Sequence, residues 1–206
     1  MIRGTGIDST VKLYLKGNGA NGSTKFFDDS QSHKTITKGG DPVISTSQSK
    51  FGGSSIYFDG VGDYLTVPAS PDWDYGDKFS ISVWFRCSRT NVPERLFSQD
   101  GEGITLYLGA GNLYIFYNST PYSLGVYAAN TWYYLTVVYN TGTLTTYVDG
   151  VLKITQTGLL NMDKSTYPFL IGQVNDAQYF NGYIDEFIIQ KGVAIDGTKV
   201  PTRQRG

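Results

Sequence analysis

The chain is a succession of short apolar or alternating runs, each closed by a glycine, asparagine, aspartate or proline. Residues 79–87 show the pattern most clearly, because Phe79, Ile81, Val83, Phe85 and Cys87 recur at every second position. Successive side chains of a strand point to opposite faces, so this period of two predicts a strand with these five residues turned toward a core. The residues between them would lie on the opposite face.

The same pattern predicts about a dozen strands and no long helix. The clearest predicted strands span residues 11–15, 54–58, 64–67, 79–87, 103–108, 112–117, 132–140, 144–148, 151–154, 169–171 and 182–190. Asp149-Gly150 joins two of them, and a two-residue Asp-Gly link favours a type I′ hairpin turn. Strand 132–140 is apolar on both faces, which is typical of a strand covered on each side.

Many short strands with regular turn signals indicate an all-β fold with two antiparallel sheets packed as a sandwich. A length of 206 residues suits one large domain of this kind. We place the domain at residues 11–195, between an N-terminal tail at 1–10 and a C-terminal tail at 196–206. Segment 17–50 is the least regular, and we expect one or two short strands there.

Composition and charge narrow the classes of partner. The chain has 17 basic and 18 acidic residues without a basic stripe, which argues against nucleic acid as a partner. No apolar run approaches the roughly 18 residues of a membrane span, so membrane insertion is not expected. The N-terminus lacks the form of a signal peptide. A single cysteine, Cys87, leaves no disulfide framework and is expected to be buried.

Four segments together resemble a known family. They are KFGGSSIYFDGVGDYLTVP (50–68), FSISVWFR (79–86), LTTYVDGVL (144–152) and FLIGQVNDAQYFNGYIDEFIIQKGVA (169–194). In this order and spacing they are similar to the concanavalin A-like, laminin-G-type jelly-roll domains. The resemblance implies a two-sheet antiparallel jelly-roll sandwich whose members bind glycans, bind proteins, bury a calcium ion or decorate larger structures. A fold of this kind does not choose among those functions.

A further resemblance concerns LKGNGANGSTKFFDDSQSHKTI (15–36), STSQSKFGGSS (45–55) and QKGVA (190–194), which are similar to segments of phage structural proteins. It implies a virion accessory protein, either a capsid decoration protein or a tail-fibre, receptor-binding piece. Its partner would be a glycan or a neighbouring coat protein, with the protein present as a homo-oligomer or in many copies. We therefore expect a location on a virion or an extracellular surface.

Acidic loop residues suggest a structural calcium site, since calcium takes six to eight oxygen ligands. The turn DGVGD supplies Asp59 and Asp63, and Asp28-Asp29 is a second source. The family resemblance adds Asp185, because an acidic residue of the final strand often reaches such an ion in related jelly rolls. The alternatives are that Asp59 only shapes its turn and that Asp185 accepts backbone amide hydrogen bonds. Apart from calcium, no cofactor is expected.

Loop aromatics and nearby amides suggest a glycan site, because sugar sites combine flat aromatic faces with a few placed polar groups. The candidate ligand-binding residues are Trp73, Tyr75, Asn118, Tyr122, Asn175 and Tyr179. The segment PDWDYGD (71–77) is the most suggestive, with two aromatics among three acids. The alternative is that Trp73 plugs one end of the sandwich.

Catalytic patterns are weak in this chain. Glycoside hydrolysis needs two suitably spaced carboxyl groups, whereas only three glutamates are present, and none begins the Glu-x-Asp-x-x-Glu pattern of related glucanases. Asp185 and Glu186 are adjacent and should point to opposite faces of a strand. The lone histidine, His33, has no neighbouring Ser–Asp constellation. We predict a non-catalytic binding module, the alternatives being a jelly-roll glucanase-type hydrolase and a bacterial cell-surface lectin.

Overall fold

Two antiparallel sheets packed face to face form the fold. We analysed a computed structural model, which describes residues 7–99, 103–117, 119–159, 163–174 and 178–205. The predicted all-β jelly-roll sandwich is confirmed. The sheets are joined by turns such as the one between β4 and β5 and, over residues 71–73, by a short 3-10 helix (Pro71–Trp73).

One sheet has eight strands, numbered like all others in chain order. Its order in space is β13 (Val151–Gln156), β12 (Thr143–Val148), β11 (Tyr133–Asn140), β6 (Lys78–Cys87), β15 (Asn181–Lys191), β4 (Ser55–Asp59) and β3 (Val43–Ser45), with β1 (Val11–Leu15) also paired to β15. The other sheet has seven strands. Its order is β10 (Thr120–Val126), β9 (Asn112–Tyr117), β8 (Thr105–Gly109), β7 (Glu94–Gln99), β14 (Phe169–Ile171), β5 (Tyr64–Val67) and β2 (Thr37–Gly39).

The core lies between the two sheets and is rich in aromatic rings. The five residues predicted to face inward from β6 are all buried there, including the free thiol of Cys87. Across β6 and β11, Phe85 stacks on Tyr133 and Phe79 on Tyr139, with ring centroids 5.8 Å and 5.4 Å apart. Offset aromatic pairs of this kind stabilise a core beyond the area that they bury.

Turn chemistry also agrees with the sequence. Asp149 and Gly150 have φ values of 51° and 75°, as a type I′ turn requires. The β8–β9 hairpin turns in the same way at Ala110 and Gly111, whose φ values are 50° and 75°. Both links match the twist of the strands that they join, which fixes the register of the two hairpins.

Two strands of the seven-stranded sheet, β7 and β10, escaped sequence prediction. Strand β7 carries a register shift between Arg95 and Phe97, so its apolar residues do not alternate strictly. Strand β10 has a proline near its start and a second shift beside Gly125, two features that weaken a strand signal. Both irregularities interrupt the alternation of side chains on which the sequence prediction depends, although β7 is central in its sheet and β10 is an edge strand.

The C-terminal segment, residues 193–205, crosses the outer face of the eight-stranded sheet. The Ser80 hydroxyl donates to the carbonyl of Val193 (2.8 Å) and accepts from the amide of Ile195 (3.0 Å). Ser80 and Ser82 point away from the core, yet they are buried. Most of what the sequence indicated as a tail at 196–206 therefore packs on the sheet. No helix in the described ranges is long and apolar enough to cross a membrane.

Candidate functional site

The two aromatics that looked most like sugar platforms belong to the core. Trp73 and Tyr75 are 0% and 2% exposed. The Trp73 indole donates to the carbonyl of Pro68 (2.9 Å), and the Tyr75 hydroxyl donates to the Gln99 side chain (3.1 Å). Their ring faces are covered by other aromatic residues, so no sugar can stack on them in this conformation. The position of Trp73 agrees with the alternative interpretation, in which it plugs one end of the sandwich.

The other predicted ligand-binding residues do not assemble around them. Tyr122 lies opposite Ile115 and packs partly against the core. Tyr179 lies at the other end of the sandwich, where its carbonyl accepts from Arg89 (3.3 Å). Asn118 and Asn175 lie outside the described residues. Within the described part of the chain, the predicted set does not form a single site.

Acidic residues do converge at the rim where β4 passes into β5. Asp41, Asp59 and Asp63 each bring a carboxylate oxygen to within 4.8 Å of the others. Asp63 is buried, whereas Asp41 and Asp59 reach solvent. The convergence of Asp59 and Asp63 follows the sequence prediction, and Asp41 from the end of β2 joins them.

Asp63 organises this acidic rim, which we define as Asp41, Asp59 and Asp63. Its two carboxylate oxygens accept the backbone amides of Asp41 (2.7 Å) and Asp59 (2.9 Å). Burial raises the pKa of Asp63, and the neighbouring carboxylates of Asp59 and Asp41 raise it further against those two hydrogen bonds. Asp59 in turn accepts the amide of Val61 (2.7 Å), the turn-forming role considered as its alternative. The hard oxygen donors are of the type that calcium prefers.

Asp185 is not part of the acidic rim, which corrects its predicted position among the metal ligands. It is 0% exposed, lies opposite Trp84 on the outer face of the eight-stranded sheet, and accepts the amides of Lys50 (2.8 Å) and Phe51 (3.0 Å). Burial raises the pKa of Asp185 to about 7, against those two hydrogen bonds. Its contacts agree with the alternative interpretation, in which Asp185 is a buried acceptor for backbone amides. Asp28 likewise accepts backbone amides, those of Ser30 and Lys34 in its own loop and that of Tyr14 in β1.

The predicted orientation of Glu186 is corrected as well. A bulge at this residue, with φ at 53° and a register shift between Asp185 and Ile188, breaks the alternation and turns both acids to the same outer face. Glu186 is only 5% exposed and accepts from the Tyr14 hydroxyl (2.5 Å) and the Arg205 amide (3.1 Å). The two adjacent carboxyl groups are therefore enclosed and engaged within the protein.

A groove of about 780 Å³ lies beside Glu186 under the C-terminal segment. Its polar side chains are mostly used to hold that segment. The Gln204 amide donates to Glu186 (2.9 Å), and the Arg205 guanidinium donates to Gln190 (3.1 Å). The groove is thus part of the packing of the chain on its own sheet, and we do not treat it as the site.

The outer face of the seven-stranded sheet carries a different surface, which consists of Arg95, Tyr107, Tyr114, Phe116 and Pro121. We call it the Arg95 surface. Strands β8 and β9 alternate strictly between buried and partly exposed positions. Their buried residues are core residues, namely Leu106, Leu108, Leu113 and Ile115. The residues between them must therefore project from the opposite face of the sheet.

Strand pairing places the Arg95 surface in two rows. Arg95 lies opposite Tyr107, Tyr107 opposite Tyr114, and Phe116 opposite Pro121. The ring of Tyr107 lies 5.8 Å from those of Tyr114 and Phe116, measured between centroids. A Cβ on Gly109 would lie 2.3 Å from the Tyr107 hydroxyl, so the glycine leaves room for that ring. Its rings and Pro121 line a depression of about 300 Å³ together with Gly109 and Ala110, and Arg95 lies beside this depression against the rings of Tyr107 and Phe116.

Arg95 is the charged centre of this surface. Its guanidinium carbon lies 4.1 Å from the Tyr107 centroid and 5.1 Å from the Phe116 centroid. Burial between these rings lowers the pKa of Arg95. Its Nε and Nη1 atoms are buried, and no described residue accepts a hydrogen bond from either. The surface thus offers flat rings beside a cation with unused donors.

Sequence analysis identified the β8–β9 hairpin but missed its surface. The signal was present, because Tyr107, Tyr114 and Phe116 occupy the positions that alternate with the core leucines. Loops were searched for ligand residues, whereas these rings lie within strands. Arg95 was missed because β7 itself was not predicted.

A family model described as the concanavalin A-like lectin/glucanases superfamily matches residues 58–195. No curated protein matches the chain by sequence. The binding domain of Paraclostridial Mosquitocidal Protein 1 is structurally similar, with a TM-score of 0.70 and 18% identity over 91% of this chain and 50% of that one. At this identity the similarity concerns the fold.

Two botulinum neurotoxin structures are similar to the same extent. One is a structure of neurotoxin type C, whose cell entry depends on interaction with two ganglioside molecules. Its TM-score is 0.69, with 16% identity over 91% of this chain and 49% of that one. The other is the binding domain of neurotoxin DC in complex with rat synaptotagmin II, with a TM-score of 0.71 and the same identity and coverage. The chain spans about half the length of these structures.

Proposed function

Because this chain belongs to the concanavalin A-like lectin/glucanases superfamily, we propose that it is a non-catalytic adhesion module that binds a glycan on its Arg95 surface. The observation that carries the proposal is the set of partly exposed rings, Tyr107, Tyr114 and Phe116, around a cation with unused donors. Sugar rings pack their apolar faces on aromatic side chains while nearby polar groups fix their orientation.

The position of this surface supports the proposal. The outer face of the eight-stranded sheet is closed by residues 193–205, whereas the Arg95 surface borders an open depression of about 300 Å³. Its rings stand on paired strands rather than on loops, so they are held in place before a ligand arrives. That the structural neighbours are binding domains supports a binding function in general.

We place the module on a virion, as a capsid decoration or tail-fibre protein. Support comes from the segments at 15–36, 45–55 and 190–194, which are similar to phage structural proteins. Many copies on one particle would multiply a weak single-site affinity, as multivalent binding does. A neighbouring coat protein is the second candidate partner on such a particle.

We also propose that calcium binds at the acidic rim. Three carboxylates that converge within 4.8 Å repel one another, and a divalent cation would relieve that repulsion. Asp41, Asp59 and Asp63 would hold the ion, whose role would be to brace the turn between the two sheets. The ion would be structural, since the rim and the Arg95 surface share no residue.

Glycan-array binding tests the proposed function. Tyr107→Ala should weaken binding of any glycan that the wild-type protein retains by about tenfold, as expected for a central aromatic contact. Tyr57→Ala is the matched control, because Tyr57 and Tyr183 form a comparable pair on the eight-stranded sheet, with centroids 4.9 Å apart. Absence of binding to every glycan, together with recovery of the protein on particles, would contradict the glycan proposal and favour a coat-protein partner.

A further inference from the structure

The Arg95 guanidinium has buried hydrogen-bond donors that lack an acceptor among the described residues. Arg95 lies between the rings of Tyr107 and Phe116, and burial removes Nε and Nη1 from solvent. The contacts with the rings compensate part of the loss of hydration through cation–π attraction. They cannot replace the hydrogen bonds that a guanidinium makes in water, because an aromatic face offers no lone pair in the plane of the donors.

No such partner is found within the described part of the chain. The ion pairs there are formed by other cations, and none includes Arg95. On the opposite sheet Glu186 accepts hydrogen bonds from Tyr14, Gln204 and Arg205. Among the described residues, the buried atoms without a partner there are neutral groups and one carboxylate oxygen, for example Trp84 Nε1 and Asp185 Oδ1, whereas Arg95 is a cation with two such nitrogens. A half-buried cation without an acceptor destabilises a fold, so its presence points to an acceptor supplied from outside.

The shape of the surroundings restricts what that acceptor is. Tyr114, Phe116 and Pro121 continue the surface beside Arg95 as flat, mostly apolar groups. None of the residues that line this depression is charged, so Arg95, packed behind the rings of Tyr107 and Phe116, is the cation next to it. A polyanion such as a nucleic acid would need a row of cations. A ligand with one anionic group on a ring that has an apolar face would instead match a single arginine beside flat, mostly apolar side chains.

We propose that the ligand is an acidic sugar, a pyranose whose carboxylate pairs with Arg95 while its ring packs on the neighbouring aromatic side chains. The inference rests on the proposed glycan function and specifies its substrate class. A carboxylate is planar and accepts two parallel hydrogen bonds, which the guanidinium fork provides. The carboxylate belongs either to a sialic acid or to a uronic acid, and the two sources are separated by the experiment.

Isothermal titration with defined sugars tests the proposal on the full-length protein. The probes are sialyllactose, lactose, an oligogalacturonide, and the same oligogalacturonide with its carboxyl groups reduced to alcohols. We expect at least one carboxylated sugar to bind about tenfold more tightly than its neutral counterpart, and more weakly as salt is raised. Preference for sialyllactose or for the oligogalacturonide identifies the source of the carboxylate.

Variants of Arg95 make the assignment specific. Arg95→Gln should abolish the preference, lowering the affinity for the carboxylated sugar about tenfold, to that for its neutral counterpart. Arg95→Lys should lose most of the preference, because an ammonium keeps the charge but not the fork. Arg86→Gln is the matched control: Arg86 also packs on a tyrosine, Tyr183, with its guanidinium carbon 5.7 Å from the ring, but on the other sheet. It should bind like the wild type.

The outcomes separate this inference from the function beneath it. Equal affinity for carboxylated and neutral sugars in the wild-type protein would overturn the role of Arg95 and leave the glycan function standing. An equal loss of both affinities in Arg95→Gln would also overturn it, since the arginine would then only support the surface. Failure of the wild-type protein to bind any glycan would overturn the proposed function itself.

Discussion

The outer faces of the two sheets differ in whether the chain packs over them. On the eight-stranded sheet, residues 193–205 cover part of the strands, and Glu186 accepts hydrogen bonds from Tyr14 in the first strand and from Gln204 and Arg205 near the C-terminus. On the seven-stranded sheet, Arg95 and its aromatic neighbours remain open, with two buried guanidinium nitrogens that no described residue engages. One face contributes to stability, and the other is left for a partner.

This difference shows why pocket size alone is a poor guide to the site in this protein. The groove of about 780 Å³ beside Glu186 is larger than the depression of about 300 Å³ on the Arg95 surface. However, the larger groove lies where Gln204 and Arg205 hold the C-terminal segment to Glu186 and Gln190. Unused hydrogen-bonding capacity next to flat rings distinguishes the smaller one.

The largest expected effect comes from removing the Glu186 carboxylate, the acceptor on the outer face of the eight-stranded sheet. Glu186→Ala should lower the free energy of unfolding by about 3 kcal/mol, because it leaves the Tyr14 hydroxyl and the Arg205 amide without their acceptor. Arg95→Gln on the outer face of the seven-stranded sheet is the control and should leave the free energy of unfolding unchanged or raise it, because it removes a half-buried cation for which no described residue is an acceptor. Urea unfolding measures both, and equal losses would show that the two faces do not differ in this respect.

A smaller effect is expected from the pH dependence of the closed face. Burial raises the pKa of Asp185 to about 7 in the folded protein, above its value in the unfolded chain. The contribution of the Asp185 carboxyl to the free energy of unfolding is therefore fully present below about pH 4 and is lost as the pH rises through about 7. Asp185→Asn keeps an oxygen for the amides of Lys50 and Phe51 without the charge.

This variant should be more stable than the wild type at pH 8, by roughly 1–2 kcal/mol, with a smaller gain at pH 5. Urea unfolding of both proteins at the two pH values gives the comparison. Stability curves that run parallel with pH would contradict a raised pKa for Asp185.

The smallest effect concerns the acidic rim, which belongs to neither face. Calcium at 1 mM should raise the melting temperature by about 3 °C relative to EDTA, as expected of a site with an affinity near 0.1 mM. The double variant Asp41→Asn, Asp59→Asn should lose this response. It spares Asp63, whose carboxylate accepts two backbone amides. A melting temperature indifferent to calcium in the wild-type protein would remove the ion from the proposal.

The fold was predictable because its signal is local. Alternation in β6 and the Asp149-Gly150 turn each follow from a few neighbouring residues, and the structure reproduces both. The orientation of Glu186 was not predictable in this way. A bulge changes the period of the strand by one residue, and nothing in the adjacent letters YIDEF marks where it falls.

The candidate site was only partly predictable, since it depends on contacts distant in sequence. Asp59 and Asp63 were found because one turn holds both, whereas Asp41 reaches them only through the pairing of β2 with β5. Trp73 resembled a ligand-binding residue because its neighbours are polar. Its burial results from packing against Phe169, almost a hundred residues later in the chain.

The contact between Tyr14 and Arg205 has a consequence for how the molecule can be mounted. Strand β1 pairs with β15, and the Tyr14 hydroxyl oxygen lies 3.0 Å from the carbonyl oxygen of Arg205, so the first strand and the last described residues meet on one side of the sandwich. The Arg95 surface lies on the opposite side. A linker, bead or fibre joined at either end would therefore hold the protein with the same side outward, leaving the arginine and its rings free to face solution.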